Sequence, residues 1–308
     1  MIKIHPPSAK KITTRLEKHG DVRLDDYYWL NDRENIEVLD YLQQEKAYYD
    51  GLTEHTKTFQ EELFKEMKGR IKEDDSSVPY KSNGYWYKTK YEIGMEYPVY
   101  SRCKETLEAD EEIIFNGNEM AKGHDYFKLG GIAVSPNNEL AAYGVDTVSR
   151  RQYTLRIKNL KTGEVYGEEI ENTTGGGVWA NDNRTLFYTK KDAVTLRSNK
   201  IYKHLLGTPS NEDVLVYEAT DDTFSTFVYR TKSKKYLVIG RFSTLTPDVQ
   251  ILPTDEPNEE VKMFAPRERG LEYTIFHYEK DFYVLTNKDG ATNFKLMKVG
   301  EQNTSSDN

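Results

Sequence analysis

The period of the hydrophobic positions changes once along the chain. Over residues 1–75 it is helical. Ile36, Leu39, Leu42, Ala47 and Tyr49 roughly follow a 3.6-residue repeat, and Asn31 and Asp32 offer side-chain oxygens to cap a helix starting there. A second helix is predicted from about Thr53 to Ile71, where Phe59, Leu63 and Met67 fall on one face. Pro79 lies just beyond its end. Ahead of both helices, the stretch ending Asp25-Asp26-Tyr27-Tyr28-Trp29-Leu30 reads as turn-like.

Over residues 76–308 short alternating runs take over, and they repeat. A polar turn leads into an apolar strand at Asn83–Lys88, Asn137–Tyr143, Asp182–Tyr188, Ser233–Ile239 and Glu279–Leu285. Most of these copies are followed by a second strand, at Leu155–Leu160, Ile201–Leu205, Val249–Leu252 and Phe294–Val299. Most of those strands end in turn formers such as Lys161-Thr-Gly163 and Gly207-Thr-Pro209. Several strands per unit, repeating every ~45–55 residues, specify β-propeller blades, which bury their faces against neighbouring blades. The expectation is a mainly β chain, with N-terminal α-helices in residues 1–75 and an incomplete β-propeller in 76–308. Four blades are nearly complete and a fifth begins near Gly270. Glu301–Asn308 reads as a polar tail without a closing strand.

Composition narrows the function. The 23 tyrosines suit half-buried sheet surfaces. A net charge of −8 argues against a nucleic-acid partner, which calls for a basic surplus. Cys103 is the single cysteine, so no internal disulfide can form, and it sits in an alternating strand-like run where packing is the expected role. The start of the chain has no secretory h-region, and no apolar stretch is long enough to span a membrane. A cytoplasmic protein without a membrane partner is expected.

Catalytic constellations are missing. No Gly-x-Ser-x-Gly elbow, His-Glu-x-x-His pair or phosphate loop is present, and one cysteine cannot build a thiolate metal cluster. No cofactor, metal site or catalytic residue is therefore expected. Gly175-Gly-Gly177 precedes a strand rather than a helix, and reads as a flexible turn between blades. His124 reads as a structural imidazole bonded to a neighbour. The adjacent acids Asp74-Asp75, Glu111-Glu112 and Asp221-Asp222 read as solvated loops. Arg150-Arg151 could hold a carboxylate bidentately, and an interdomain ion pair is the favoured use.

Several long strings carry a family resemblance. His19-Gly-Asp-Val-Arg-Leu-Asp-Asp-Tyr-Tyr-Trp-Leu30 and the run Met67–Tyr87 are the first two. Gly123-His-Asp-Tyr-Phe-Lys-Leu-Gly-Gly131 and Asp146-Thr-Val-Ser-Arg-Arg-Gln-Tyr-Thr-Leu155 follow, with Trp179-Ala-Asn-Asp-Asn183 and Pro266-Arg-Glu-Arg-Gly-Leu-Glu-Tyr273. Over essentially the whole chain the sequence resembles the prolyl oligopeptidase family of serine peptidases, nearest its oligopeptidase B branch. The resemblance implies a seven-bladed propeller capping an α/β-hydrolase domain with a Ser-Asp-His triad. It implies cleavage of short peptides after basic residues, with the propeller excluding folded proteins by size and the N-terminal helices packed on the hydrolase domain.

Against that pattern, this sequence stops about five blades in, and the hydrolase domain is missing. No catalytic residue of the family can be placed on it, so the chain is expected to be inactive alone, with a peptide substrate only in a full-length enzyme. The alternative is a stand-alone propeller acting as a binding or scaffold module. Asp125 and Arg151 match positions where the family makes interdomain salt bridges and touches substrate.

Overall fold

The stretch expected to be turn-like ahead of the helices contains a β-hairpin. Strand β1 (Thr14–Lys18) pairs antiparallel with β2 (Asp21–Asp25). His19 and Gly20 make the two-residue turn with φ of 56° and 80°, the handedness that matches strand twist. Both strands are rich in charge, and the one alternating pair, Val22 and Leu24, is too short a stripe to stand out. The computed structural model describes residues 5–304, and the chain divides into two compact units, Met1–Glu73 and Asp74–Asn308.

In the first unit, α1 (Ile36–Thr53) is capped by Asn35, whose side chain accepts from the Glu37 N–H at 2.9 Å. The expected caps are displaced. Asn31 closes a 3-10 turn (Tyr28–Asn31), and the Asp32 carboxylate accepts from the Glu34 N–H at 3.3 Å instead. After one 3-10 turn at Glu54–Thr56 the chain continues as α2 (Lys57–Gly69). Among the described residues no helix is long and apolar enough to cross a membrane.

The second unit is a series of antiparallel blades. Blade one holds β3 (Asp75–Ser76), β4 (Tyr80–Ser82), β5 (Tyr85–Tyr91), β6 (Val99–Lys104) and β7 (Glu111–Asn116). A short helix, α3 (Gly117–Met120), leads to blade two, with β8 (Lys128–Val134), β9 (Leu140–Asp146), β10 (Tyr153–Asn159) and the start of β11 (Ile170–Trp179). The end of β11 opens blade three, followed by β12 (Thr185–Lys191), β13 (Ser198–Leu205) and β14 (Val214–Glu218). Blade four is β15 (Ser225–Arg230), β16 (Tyr236–Phe242), β17 (Pro247–Pro253) and β18 (Lys262–Met263). Blade five is β19 (Tyr273–Tyr278), β20 (Asp281–Thr286) and β21 (Lys295–Gly300). The five copies of the sequence repeat fall on β5, β9, β12, β16 and β20. Among the described residues no strand of blade five pairs with blade one, so the propeller is not closed.

The core lies in the seams between blades. Leu155, Ile157 and Ile170 of blade two meet Trp179, Leu186 and Tyr188 of blade three. Phe187 and Ile201 of blade three meet Leu237, Ile239 and Leu252 of blade four. Val238, Val249 and Ile251 of blade four meet Tyr273, Ile275 and Phe282 of blade five. Strands in the middle of the stack bury both faces, so Leu237, Val238 and Ile239 form a continuous apolar run at 0% exposure.

Two expectations are overturned here. Gly175-Gly-Gly177 does fall between the blades, but within β11 rather than in a loop: the strand pairs with β10 at Ile170 and Thr173 and with β12 at Thr173 and again from Gly177, a register break at the glycines that still joins both blades in one seven-stranded sheet. Glycine is needed for close backbone approach. A Cβ on Gly144 would lie 2.3 Å from the Gly175 Cα, and one on Gly131 would lie 2.0 Å from the Gly175 carbonyl oxygen. Nor is Glu301 a solvated tail residue. Its side chain is 13% exposed, hydrogen-bonds the buried His277 Nε2 at 2.7 Å and pairs with Lys235. The last residues of that expected tail, 305–308, lie outside the described residues.

Candidate functional site

Strand direction sorts the loops of the second unit to two ends. At one end are the tight turns that lead into β5, β9, β12, β16 and β20. They are cross-linked. Asn83 bonds Pro136 and Asn138, and Asn183 accepts from the Asn137 N–H at 2.7 Å. Asn181 bonds Asp255 at 2.9 Å, and Ser233 bonds His277 at 2.8 Å. Each adjacent pair of blades thus carries a polar tie at this end.

The other end is a rim, made by the loops that follow those same strands and by the blade-to-blade connections. Both residues singled out by sequence sit on it. Lys128 at the start of β8 pairs with Asp146 at the end of β9. That register brings the loop bearing Asp125 and the loop bearing Arg151 to the same end of blade two. Asp125 and Arg151 are both exposed, and among the described residues neither side chain forms an ion pair, with the other or with any residue.

Each loop is pinned from below. Asn118 fixes the connection that carries Asp125, accepting from the Tyr97 N–H at 2.8 Å and donating to the Tyr97 carbonyl at 2.7 Å. Phe127 packs edge-on against Tyr97 at 5.6 Å. His124 stacks its ring on Phe127 at 6.2 Å instead of making the side-chain hydrogen bond that was expected. The Arg151 loop is organised by Asp146, 1% exposed, whose carboxylate accepts from the N–H groups of Val148, Ser149 and Arg151. Three N–H donors satisfy a buried carboxylate that would otherwise be costly.

A second rim cluster was not foreseen. The Arg241 guanidinium grips one oxygen of the buried Asp248 through Nε at 3.0 Å and NH2 at 2.6 Å. It lies 5.2 Å from the Phe224 ring, and Arg267 lies 5.4 Å from the same ring. Arg197 fixes the loop that presents Phe224, donating to the Phe224 carbonyl at 2.7 Å and pairing with Asp222 at 2.9 Å. The Arg267 and Arg241 charges help hold the Asp221 carboxyl below its ordinary range, after the larger effect of its bonds to Thr223. Hairpin counting could have found the Arg241–Asp248 pair, because a four-residue loop after Phe242 sets the two residues opposite each other.

The acid pairs divide. Glu111 and Glu112 lie in β7, not in a loop. Glu112 receives the Arg102 guanidinium, and Glu111 pairs with Lys88 and Lys90. Asp221-Asp222 lies in a loop, as expected. No constellation for covalent chemistry emerges. His204 bonds the buried Asp213 at 2.7 Å, but Asp213's other oxygen accepts from the Tyr188 hydroxyl, and the whole group is enclosed without a nucleophile. Among the described residues no cluster of His, Cys, Asp and Glu could hold a metal. The rim's charged side chains suit binding and orienting charged groups.

Residues 6–308 match the family model described as prolyl oligopeptidase, N-terminal beta-propeller domain. Dipeptidyl aminopeptidase BI of Pseudoxanthomonas mexicana is 39% identical over 317 residues, covering 97% of this chain and 44% of that protein. Protease 2 of Moraxella lacunata is 31% identical, with 95% of this chain and 43% of that protein covered. The solved structure of oligopeptidase B from Leishmania major superposes with a TM-score of 0.90 at 29% identity, over 97% of this chain and 45% of that one. The chain spans less than half the length of these relatives.

Proposed function

Since the chain belongs to the prolyl oligopeptidase family, as an N-terminal propeller portion, we propose that it is the access-controlling part of an oligopeptidase B-like serine peptidase that cleaves short peptides after basic residues. The hydrolysis itself falls to an α/β-hydrolase domain in the remaining half of the protein. The rim of the second unit faces that domain, and Asp125 and Arg151 make the salt bridges that hold or release it and touch the passing peptide. The N-terminal helices pack their apolar residues on the same domain. The single buried thiol, Cys103, accords with a reducing, cytoplasmic setting.

The observation that carries this reading is the contrast between the two ends of the blades. One end carries a side-chain hydrogen bond between each adjacent pair of blades, and the other presents Asp125 and Arg151, whose side chains form no ion pair among the described residues. Unpaired charges on anchored loops serve recognition better than stability, since exposed ion pairs contribute little to folding.

Two measurements test it. The purified 308-residue chain should give no turnover of a small arginyl-amide substrate. Activity scaling with chain concentration would overturn the division of labour. In the full-length protein, Arg151→Glu should raise KM for a short basic peptide several-fold, about 1 kcal/mol, while the chemical step keeps most of its rate. An unchanged KM would remove Arg151 from the access path.

A further inference from the structure

Two residues in the loop between β9 and β10 are left-handed without being glycine, Ser149 at φ 64° and Arg151 at φ 55°. Side chains with a Cβ avoid this region, and such residues persist where their surroundings over-determine them. The Asp146 carboxylate supplies one constraint, from within blade two, through its three bonds to backbone N–H groups. A second comes from blade three. Lys191, the last residue of β12, donates from Nζ to the Arg151 carbonyl oxygen at 2.7 Å.

We propose that Lys191 is a positioning residue for Arg151, holding its left-handed backbone from the neighbouring blade so that the guanidinium is presented off the rim to a carboxylate. This rests on the reading above that Arg151 meets a partner group. Among the described residues Lys191 forms no ion pair, so the carbonyl contact is what anchors its ammonium. Burial and the neighbouring Arg151 charge both push its pKa down, so the two cations are held together against their repulsion. The Asp146 charge acts the other way on Lys191 and offsets part of that repulsion, one carboxylate against three cations. What is left over is positive charge on Arg150, Arg151 and Lys191, and an anionic group is the complement it fits.

The tie is a firm one. Strand β11 pairs with both β10 and β12, so the loop and the end of β12 flank one seven-stranded sheet. Lys191 therefore reaches Arg151 between two neighbouring edges of one hydrogen-bonded sheet.

Limited digestion with trypsin reads the loop directly, since Arg150 and Arg151 are themselves cleavage sites. Lys191→Met keeps the stem and removes the ammonium. It should speed cleavage after Arg150 and Arg151 about fivefold, mapped by mass spectrometry, with Arg184 and Arg197 as internal references. Lys191→Arg can still donate to the carbonyl and should cleave at the wild-type rate. Unchanged cleavage in Lys191→Met would overturn the proposal. So would a Lys191→Arg variant that behaves like Lys191→Met, or acceleration shared equally by Arg184 and Arg197. The readout needs no activity. A failed KM test on Arg151→Glu would remove the access role, and a failed digestion test would remove the positioning role.

Discussion

The helical unit and the propeller unit treat their hydrophobic residues in opposite ways. Among the described residues of the first unit, Val38 is the one hydrophobic side chain that is buried, while Ile36 is 79% exposed, Phe64 67% and Met67 60%. In the second unit Leu155, Leu186, Phe187, Ile201, Leu237 and Phe282 are wholly enclosed. Both sequences carry a regular apolar pattern. A blade finds its cover in the next blade, encoded some 45–50 residues further on. The helices carry a pattern whose large apolar residues stay exposed within their own unit. Periodicity reports which residues are meant to be covered, and a separate question is what covers them.

The contrast can be broken most directly by truncating one large apolar residue in each unit. Phe187→Ala removes a fully buried ring from the seam between blades three and four and should cost about 3–5 kcal/mol. Phe64→Ala removes a ring that is 67% exposed and should change stability by under about 0.5 kcal/mol. Calorimetric unfolding of the two variants decides it. Comparable losses would mean that the helical unit has a core of its own.

A buried polar tie within blade four should rank next. Asp248 is 2% exposed and holds Arg241 through two hydrogen bonds to one oxygen. Asp248→Asn keeps the shape but leaves a half-enclosed guanidinium without its countercharge, at a cost of about 2–3 kcal/mol. A urea midpoint that does not move would show that solvent already compensates Arg241.

These two variants also mark what could be read from the sequence. The strand carrying Phe187 was legible because its polar turn and apolar run recur four more times along the chain. The hairpin β1–β2 was not, because it is short and its alternating pair Val22 and Leu24 is outnumbered by charged residues and left exposed. Gly175–Gly177 was misread because glycine serves loops and close backbone packing equally well, and only the presence of Gly131 and Gly144 opposite decides between them. Glu301 was misread as tail for a similar reason, since a polar residue after the last strand looks solvated until a buried histidine is found waiting for it. Asp125 and Arg151 were legible as charged residues in motif strings, but the register that puts them on one rim was not. Arg267 and Phe224 come together from loops that are distant in sequence, and no local pattern joins them.

A smaller effect sharpens the picture of the helical unit. Helices without a core depend on local terms, and the Asn35 cap is one of these. Asn35→Ala should cost about 1 kcal/mol, seen as faster amide exchange over the first turns of α1, with exchange in the blades unchanged. Equal protection in Asn35→Ala and the wild type would mean that the start of α1 is held by packing.

The smallest expected difference compares the same kind of ion pair in each unit. Lys46–Asp50 lies on α1 with both side chains about half exposed or more, and such a pair is worth a few tenths of a kcal/mol. Glu111 lies on β7, where the Lys90 ammonium, the Ser101 hydroxyl and Lys88 hold its pKa down at about 2, against an ordinary 4.5. A depressed carboxyl stabilises the fold at pH values above its unfolded pKa. That contribution is lost as pH falls from about 4.5 towards 2, because the unfolded chain takes up the proton first. Glu111 is still 31% exposed, so screening reduces its contribution to about 1 kcal/mol. Glu111→Gln should therefore lower stability at neutral pH by about that amount and flatten the stability curve between pH 4.5 and 2. Asp50→Asn should leave both nearly unchanged. Equal acid limbs in the two variants would mean that the strand pair is as freely solvated as the helical one, and that enclosure between blades does not extend to the charged face of blade one.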